Sequence, residues 1–302
     1  MNSRQMSRQP ILEPSLQGKL FTLALAFCGL LITEGLLRSV CAYVFADSRN
    51  LFLAGSVLQS LLAFVIPAYL TALLYSDSAS KYLGCKTRTS FRQYAGVVIV
   101  MVLMTPAVDA VVEWNSSVSL PACMDGVADK FRQWEESAAQ TTAMVLGDTS
   151  AWGLVSGLIV IGCVTGFAEE MFFRAGLQKA MTSSGVRHDV AICIAAFVFS
   201  AVHFQFFGFV PRFILGAFFG YLYWYTGSIW VAAFAHALNN SIVVLTAWLA
   251  QRGCITAGDG VSDPIIEWSP YLSLASAVVT VIFITFFWKR FFILKDYGKK
   301  SE

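Results

Sequence analysis

The chain has 302 residues, of which 57% are hydrophobic and only 13% are charged. A soluble globular protein carries about 25% charged residues, so this composition excludes that class and indicates a polytopic membrane protein. The formal net charge of +2 gives no reason to expect a nucleic-acid partner. Since each helical span needs about 20 mostly apolar residues, spans and short loops take up the whole length.

The apolar segments predict an all-α membrane bundle with about eight transmembrane helices. In chain order, the predicted spans cover residues 20–45, 51–75, 94–112, 151–181, 189–207, 211–225, 228–249 and 271–292. Between the third and fourth spans, apolar residues at Val127, Phe131 and Trp134 are spaced four and three apart and predict an amphipathic helix. That helix either lies on the outer face of the membrane or packs on the bundle as a loop helix.

Basic residues cluster in four segments that fall on one side of an eight-span bundle. They are Arg4, Arg8 and Lys19; Lys81, Lys86, Arg88 and Arg92; Lys179 and Arg187; and Lys289, Arg290, Lys295, Lys299 and Lys300. The loops on the other side are net acidic, so the positive-inside rule predicts that both termini are cytoplasmic. A chain without a targeting extension suits a bacterial inner membrane. Cys123 and Cys254 both fall in outer loops, which leaves a disulfide between them open.

Two adjacent carboxylates and an arginine interrupt the fourth span, in the stretch from Ala168 to Arg174. Residues four apart share one face of a helix, so Glu170 and Arg174 are predicted to form an ion pair. Glu169 points elsewhere and has no local partner, which makes it a candidate general base or acid. Alternatively, both glutamates mark the end of a helix. About 20 Å of helix separates them from the next turn, and charges at such depth are rarely kept without a function.

Two later positions are polar in an apolar setting, namely His203 and the pair His236 and Asn240. Spans four and five form a hairpin that turns near residue 186, which puts Glu169 and His203 at equal depth. His236 and Asn240 are four residues apart and project from one face of span seven, as donors to a developing oxyanion would. The structural alternatives are a hydrogen-bonded histidine and a polar packing patch between helices. Overlapping depths predict that these residues form one buried site.

In order and spacing, these residues resemble the three motifs of the CPBP family of intramembrane proteases, the CAAX prenyl endopeptidase and bacteriocin-processing or abortive-infection proteins. The matching residues are Glu169-Glu170-x-x-x-Arg174, Phe199-x-x-x-His203 and His236-x-x-x-Asn240. The resemblance implies an eight-helix core whose site opens toward the cytoplasm. It implies that Glu169 activates water with His203. It also implies that Glu170, Arg174 and Phe199 support the site, and that His236 and Asn240 stabilise the oxyanion.

We therefore predict an intramembrane endopeptidase that hydrolyses a peptide bond in a hydrophobic or lipidated membrane-associated protein or peptide, without a metal cofactor. A zinc site built from the two histidines and two glutamates is the alternative to a metal-free mechanism. A proton-coupled transporter with Glu169 in a relay, and a non-catalytic immunity or scaffold protein, are competing functions. The chain shows no internal repeat, which argues against the transporter.

The expected organisation has three parts. Residues 1–150 hold three spans and the amphipathic segment, residues 151–249 form the CPBP-like catalytic core, and residues 250–302 hold an outer loop, the last span and a basic tail. The expected partners are the substrate and the lipid bilayer, while the oligomeric state stays open.

Overall fold

The computed structural model describes residues 9–44, 49–255 and 268–293, and these ranges contain helices and connecting turns but no β-strand. The main helices are α1 (Leu16–Val44), α2 (Arg49–Tyr75), α3 (Phe91–Ser116), α4 (Asp125–Leu146), α5 (Ala151–Thr182), α6 (His188–Ala201), α7 (Phe209–Thr226), α8 (Ile229–Gln251) and α9 (Pro270–Phe292). Short helical turns cover Ala79–Tyr82, Ala122–Met124 and Phe206–Gly208. The predicted all-α class is confirmed.

Of the nine main helices in the described ranges, seven are long and apolar enough to cross a membrane, and α4 and α6 are the two exceptions. Helix α6 is apolar but has 14 residues, a length of about 21 Å. It takes the place of the fifth predicted span and ends at Ala201 rather than near Phe207. The chain is an integral multi-pass membrane protein. The helix in its fifth predicted span is shorter than the apolar run from which that span was predicted.

Helices α2 and α5 contain turns of wider, π-type helix. In α2 these turns cover Ser60–Val65, and in α5 they cover Leu158–Thr165 and Met171–Gln178. Between the two wide segments of α5 lies one short α-helical stretch, Gly166–Glu170, which carries both glutamates. A π-type turn rotates the side chains that follow it and is frequent at functional sites. The acidic motif thus occupies the most irregular part of its helix.

Glycines bring α5 and α8 close together at the acidic motif. A Cβ atom at Gly166 would lie 3.2 Å from the backbone nitrogen of Ala237, and one at Gly162 would lie 2.6 Å from the hydroxyl of Ser241. Small residues at such contacts allow membrane helices to approach closely. This approach places the acidic motif directly against the helix that carries His236.

Of the two alternatives for α4, a helix on the membrane surface or a loop helix packed on the bundle, the structure shows the second. The ring of Phe131 stacks on Phe206 with centroids 5.0 Å apart, and Trp134 meets the ring of Phe204 edge-on at 5.5 Å. Ala128, near the start of α4, is buried. The helix therefore covers the turn that joins α6 to α7, which is the turn that holds His203.

Other predictions concern the loops. Cys123 and Cys254 are both free and exposed, so the disulfide that the sequence left open is not formed. The acidic residues Asp259, Asp263 and Glu267, and the basic residues Lys295, Lys299 and Lys300, lie outside the described residues. The predicted outer loop and basic tail stay predictions.

Candidate active site

The ion pair predicted in the acidic motif is present and completely buried. Arg174 Nη1 lies 3.1 Å from Glu170 Oε1, and neither side chain has any exposed surface. Arg174 Nη2 donates a hydrogen bond to the carbonyl of Gly216 at 2.8 Å, and the guanidinium lies 4.8 Å from the centre of the Phe199 ring. Arg174 therefore ties α5 to both α6 and α7, while Phe199 covers its charge.

His236 lies between the two glutamates. Its Nδ1 is 2.9 Å from Glu170 Oε1 and its Nε2 is 3.6 Å from Glu169 Oε2. The imidazole ring stacks on Phe219 with centroids 5.0 Å apart and meets Phe199 edge-on at 5.6 Å. The sequence indicated no local partner for Glu169 on its own helix, and α8 brings His236 close to it as a second histidine besides His203. Spacing within one helix cannot reveal a contact with another.

Glu169 and His203 line the same cavity, which has a volume of about 190 Å³. The other lining residues are Ser56, Gln59, Ser60, Phe64, Thr165, Phe173 and Val202. This volume accommodates several water molecules, and the lining offers polar partners for them. The hairpin of α5 and α6 thus brings together the two residues that the sequence placed at equal depth.

His203 lies in the turn after α6 and not inside a span, which corrects its predicted setting. Its Nδ1 is 2.7 Å from the carbonyl oxygen of Phe199. A carbonyl only accepts, so Nδ1 carries the proton and Nε2 of the neutral ring is free to accept one. The next residue, Phe204, has φ of 53°. A bulky residue rarely adopts this left-handed conformation, and strain of this kind clusters at functional sites.

Asn240 faces α5 one turn after His236. Its Nδ2 donates a hydrogen bond to the carbonyl of Ile161 at 3.2 Å, which leaves one of its two N–H groups for another acceptor. The bond to Ile161 agrees with the alternative that Asn240 belongs to a polar packing patch between helices. The second N–H is available to donate to an oxyanion.

Arg212, on the first turn of α7, is a charged residue of the site that the sequence analysis did not single out. Its Nη2 donates to Gln205 Oε1 at 2.9 Å, and Gln205 Nε2 donates to Glu135 Oε2 at 3.2 Å. The Arg212 guanidinium also lies within electrostatic range of Glu169 and His203. A signal existed in the sequence, because Arg212 is a basic residue inside a predicted apolar span.

Glu135 connects helix α4 to the same turn. Its Oε1 accepts a hydrogen bond from the backbone N–H of Phe207 at 3.0 Å, while its Oε2 accepts from Gln205. Both bonds reach the segment that follows His203. The position of His203 therefore depends on a helix that precedes the acidic motif in the chain.

No group of three His, Cys, Asp or Glu side chains is placed to hold a metal ion in the part of the chain that the structure describes. A zinc site near Glu169 would have to recruit Glu170 or His236 from the bonds that they make with Arg174 and with each other. Glu170 and His236, which a zinc site would need, are thus already bonded to each other, and Glu170 is also paired with Arg174.

Residues 151–242 match the family model described as Type II CAAX prenyl endopeptidase Rce1-like. The match contains the residues of all three motifs, while α1 to α4 and α9 lie outside it. No curated protein and no solved structure matches the chain. The match supports a CAAX-type intramembrane endopeptidase in general terms. The segment from α5 into α8 is therefore similar to Rce1-like endopeptidases, which is consistent with the CPBP family of proteases that its motifs resemble.

Proposed function

We propose that the protein hydrolyses a peptide bond of a membrane-associated protein or peptide, with Glu169 as the general base that activates water. The observation that carries this proposal is the shared cavity, in which Glu169 and His203 meet. The family match supports an endopeptidase, and a positioned carboxylate beside a histidine is a suitable pair for activating water.

The position of the proton on His203 determines how His203 and Glu169 each act on the water molecule. Because Nδ1 donates to the carbonyl of Phe199, Nε2 accepts a hydrogen bond from the water and orients it. Glu169 removes the other proton as the water oxygen attacks the carbonyl carbon of the substrate. The same proton then passes from Glu169 to the leaving nitrogen as the C–N bond breaks. The products are a carboxylic acid and an amine.

His236 and Asn240 are proposed to stabilise the oxyanion. Glu170 accepts a hydrogen bond from Nδ1 of His236 and thereby fixes the ring, as carboxylates orient catalytic histidines elsewhere. The Nε2 atom of His236 lies on the side where Glu169 lies, and Asn240 supplies its remaining N–H. Glu170, Arg174 and Phe199 hold this arrangement without contacting substrate.

Comparative proteomics of membrane peptides in wild-type cells and Glu169→Gln cells tests the proposed function. We expect full-length substrate to accumulate in the variant and its cleavage products to disappear. The substrate is expected to be a membrane-anchored protein or peptide, and its sequence will show whether it is lipidated. Identical peptide profiles would support a scaffold or immunity protein in place of a peptidase.

Replacing His203 with alanine is expected to lower turnover by about 10²–10⁴-fold, the usual contribution of a positioned acid–base group. The water then loses the acceptor that orients it, although Glu169 remains. Turnover of the identified substrate by the purified variant measures the effect. His188→Ala is the matched control, because His188 lies at the other end of α6 and stacks on Trp224. Equal losses in both variants would contradict a specific role for His203.

Chelation separates the proposed mechanism from the zinc alternative. After dialysis against EDTA, we expect turnover to be unchanged and elemental analysis to find no stoichiometric zinc in the active protein. Activity that is lost on chelation and restored by zinc would overturn the metal-free mechanism.

A further inference from the structure

A second cleft lies at the end of the bundle where α1 begins and where α2 and α5 end. Its volume is about 460 Å³, which is within the range of pockets that take small ligands. We call it the lysine cleft, and its lining includes Lys19, Tyr75, Ser76, Asp77, Tyr82 and Ser183. None of its lining residues contributes to the cavity of Glu169 and His203, so the lysine cleft is separate from the candidate active site.

Lys19 brings a buried positive charge to this cleft. The residue is only 2% exposed, and its Nζ donates hydrogen bonds to the hydroxyls of Ser183 at 2.9 Å and Ser184 at 3.1 Å. An ammonium group has three N–H donors, so one of them has no acceptor among the described residues. In those same ranges no carboxylate pairs with Lys19, although Asp77 lines the cleft. Since buried charges are normally paired, an anion from outside the chain would complete the bonding of this ammonium.

Lys179 adds a second cation beside the cleft. Its charge is within electrostatic range of Lys19, and its Nζ lies 5.9 Å from the centre of the Tyr82 ring. Lys179 has no carboxylate partner in the described part of the chain either. The Tyr82 hydroxyl is 3.5 Å from Ser183 Oγ, a long contact that leaves this hydroxyl able to donate to another acceptor. Two neighbouring ammonium groups repel each other, and an anion bound in the cleft would relieve that repulsion.

The cleft lies at the depth of the lipid headgroups. Lys19 is the fourth residue of α1, Tyr75 is the last residue of α2, and Ser183 follows directly on the end of α5. Each of them is thus within about 5.4 Å, one helical turn, of the end of a span. The ends of spans lie in the polar headgroup region that flanks the hydrocarbon core. Basic pockets between transmembrane helices at this depth are typical binding sites for phospholipid headgroups.

We propose that the lysine cleft binds a phosphate group, either from the headgroup of an anionic phospholipid or as a free ion. A phosphate presents several acceptor oxygens, which suits the free N–H of Lys19, the Lys179 ammonium and the Tyr82 hydroxyl. A bound phosphate would tie the start of α1 to the turn after α5, the helix that carries the acidic motif. This binding needs no catalysis, so it stands apart from the proposed hydrolysis.

Binding to the purified full-length chain in non-ionic, phosphate-free detergent tests this site. Native mass spectrometry counts bound phosphatidylglycerol, with phosphatidylcholine of the same acyl chains as the lipid without net charge, and equilibrium dialysis measures radiolabelled inorganic phosphate. We expect Lys19→Met to weaken binding about 10–100-fold, because a hydrogen bond to a charged group is lost. Lys81→Met is the matched control, since Lys81 is exposed at the same end, does not line the cleft and loses the same charge.

The two ligands identify the source of the phosphate. Phosphatidylglycerol binding that depends on Lys19, together with weaker binding of phosphatidylcholine, assigns a lipid headgroup. Inorganic phosphate binding with the same dependence assigns a free ion. If neither ligand binds, or if Lys19→Met and Lys81→Met weaken binding equally, Lys19 is only a structural tie between α1 and the turn after α5, and the phosphate site does not exist.

Asp77→Asn tests the site without touching the hydrogen bonds of Lys19, in case Lys19→Met fails to fold. Asp77 is exposed and lines the cleft, so removing its negative charge is expected to tighten phosphate binding about two- to fivefold at low ionic strength. Thermal unfolding of each variant shows whether the bundle is intact. Unchanged or weaker binding by folded Asp77→Asn would overturn the site.

Discussion

Replacing Glu169 with glutamine is expected to abolish measurable hydrolysis while the helix bundle stays folded. Glutamine has nearly the same shape but cannot take a proton from water, and loss of a general base costs about 10²–10⁴-fold in rate. The Glu169 side chain is 12% exposed and its nearest ionisable partner, His236, is 3.6 Å away. The substitution therefore removes a charge from the cavity without breaking the buried ion pair beside it.

Turnover of the substrate found by proteomics, measured on purified protein in detergent, checks this expectation. Thermal unfolding of the same samples shows whether the fold is intact. Glu136→Gln is the matched control, because Glu136 is exposed on α4 and the change in charge is identical. If Glu169→Gln keeps wild-type turnover, Glu169 is not the base, and the proposed mechanism fails.

Replacing Arg174 with methionine is expected to destabilise the protein by about 3–5 kcal/mol, because it leaves a buried carboxylate without its cation. Glu170 and Arg174 are both completely buried, so no solvent compensates for the lost charge. The change also removes the hydrogen bond from Arg174 to the carbonyl of Gly216 and its contact with the Phe199 ring. The free energy of unfolding in detergent, obtained by denaturant titration, measures the loss.

Arg187→Met provides the control for the loss of an arginine. Arg187 is 81% exposed and lies 3.6 Å from Asp189, and exposed pairs of this kind contribute about 0–1 kcal/mol. A second comparison removes both buried charges, as Arg174→Met with Glu170→Gln. We expect the double variant to be more stable than Arg174→Met alone, because no unpaired charge remains. If the free-energy losses of Arg174→Met and Glu170→Gln simply add in the double variant, the lost charge pairing is not the cause of the destabilisation.

The sequence reveals those features of the site that depend on local spacing. Glu170 and Arg174 pair because four residues bring side chains together on any helix, whatever surrounds it. The contact between His236 and the two glutamates depends on how α8 packs against α5 through Gly162 and Gly166. The spacing of Gly162 and Gly166 indicates that some helix packs closely there, but it does not indicate which helix.

The end of α6 shows a different limit of sequence reasoning. The apolar run continues to Phe207, so hydropathy predicts a helix that is several residues too long. In the structure the helix ends at Ala201, and Phe204 adopts a left-handed conformation that residue preferences disfavour. The hydrogen bonds from Gln205 and Phe207 to Glu135 hold that turn in place. A bond from a distant helix thus decides a boundary that the local sequence does not mark.

One wall of the cavity comes from α2, which lies outside the Rce1-like segment. Ser56, Gln59 and Ser60 line the cavity, yet none of them belongs to a motif or to the expected catalytic core of residues 151–249. The wall of the cavity is therefore built by two different stretches of the chain, α2 and the segment that carries the proposed hydrolytic residues. Substitutions in α2 can reshape the cavity while every proposed hydrolytic residue stays unchanged.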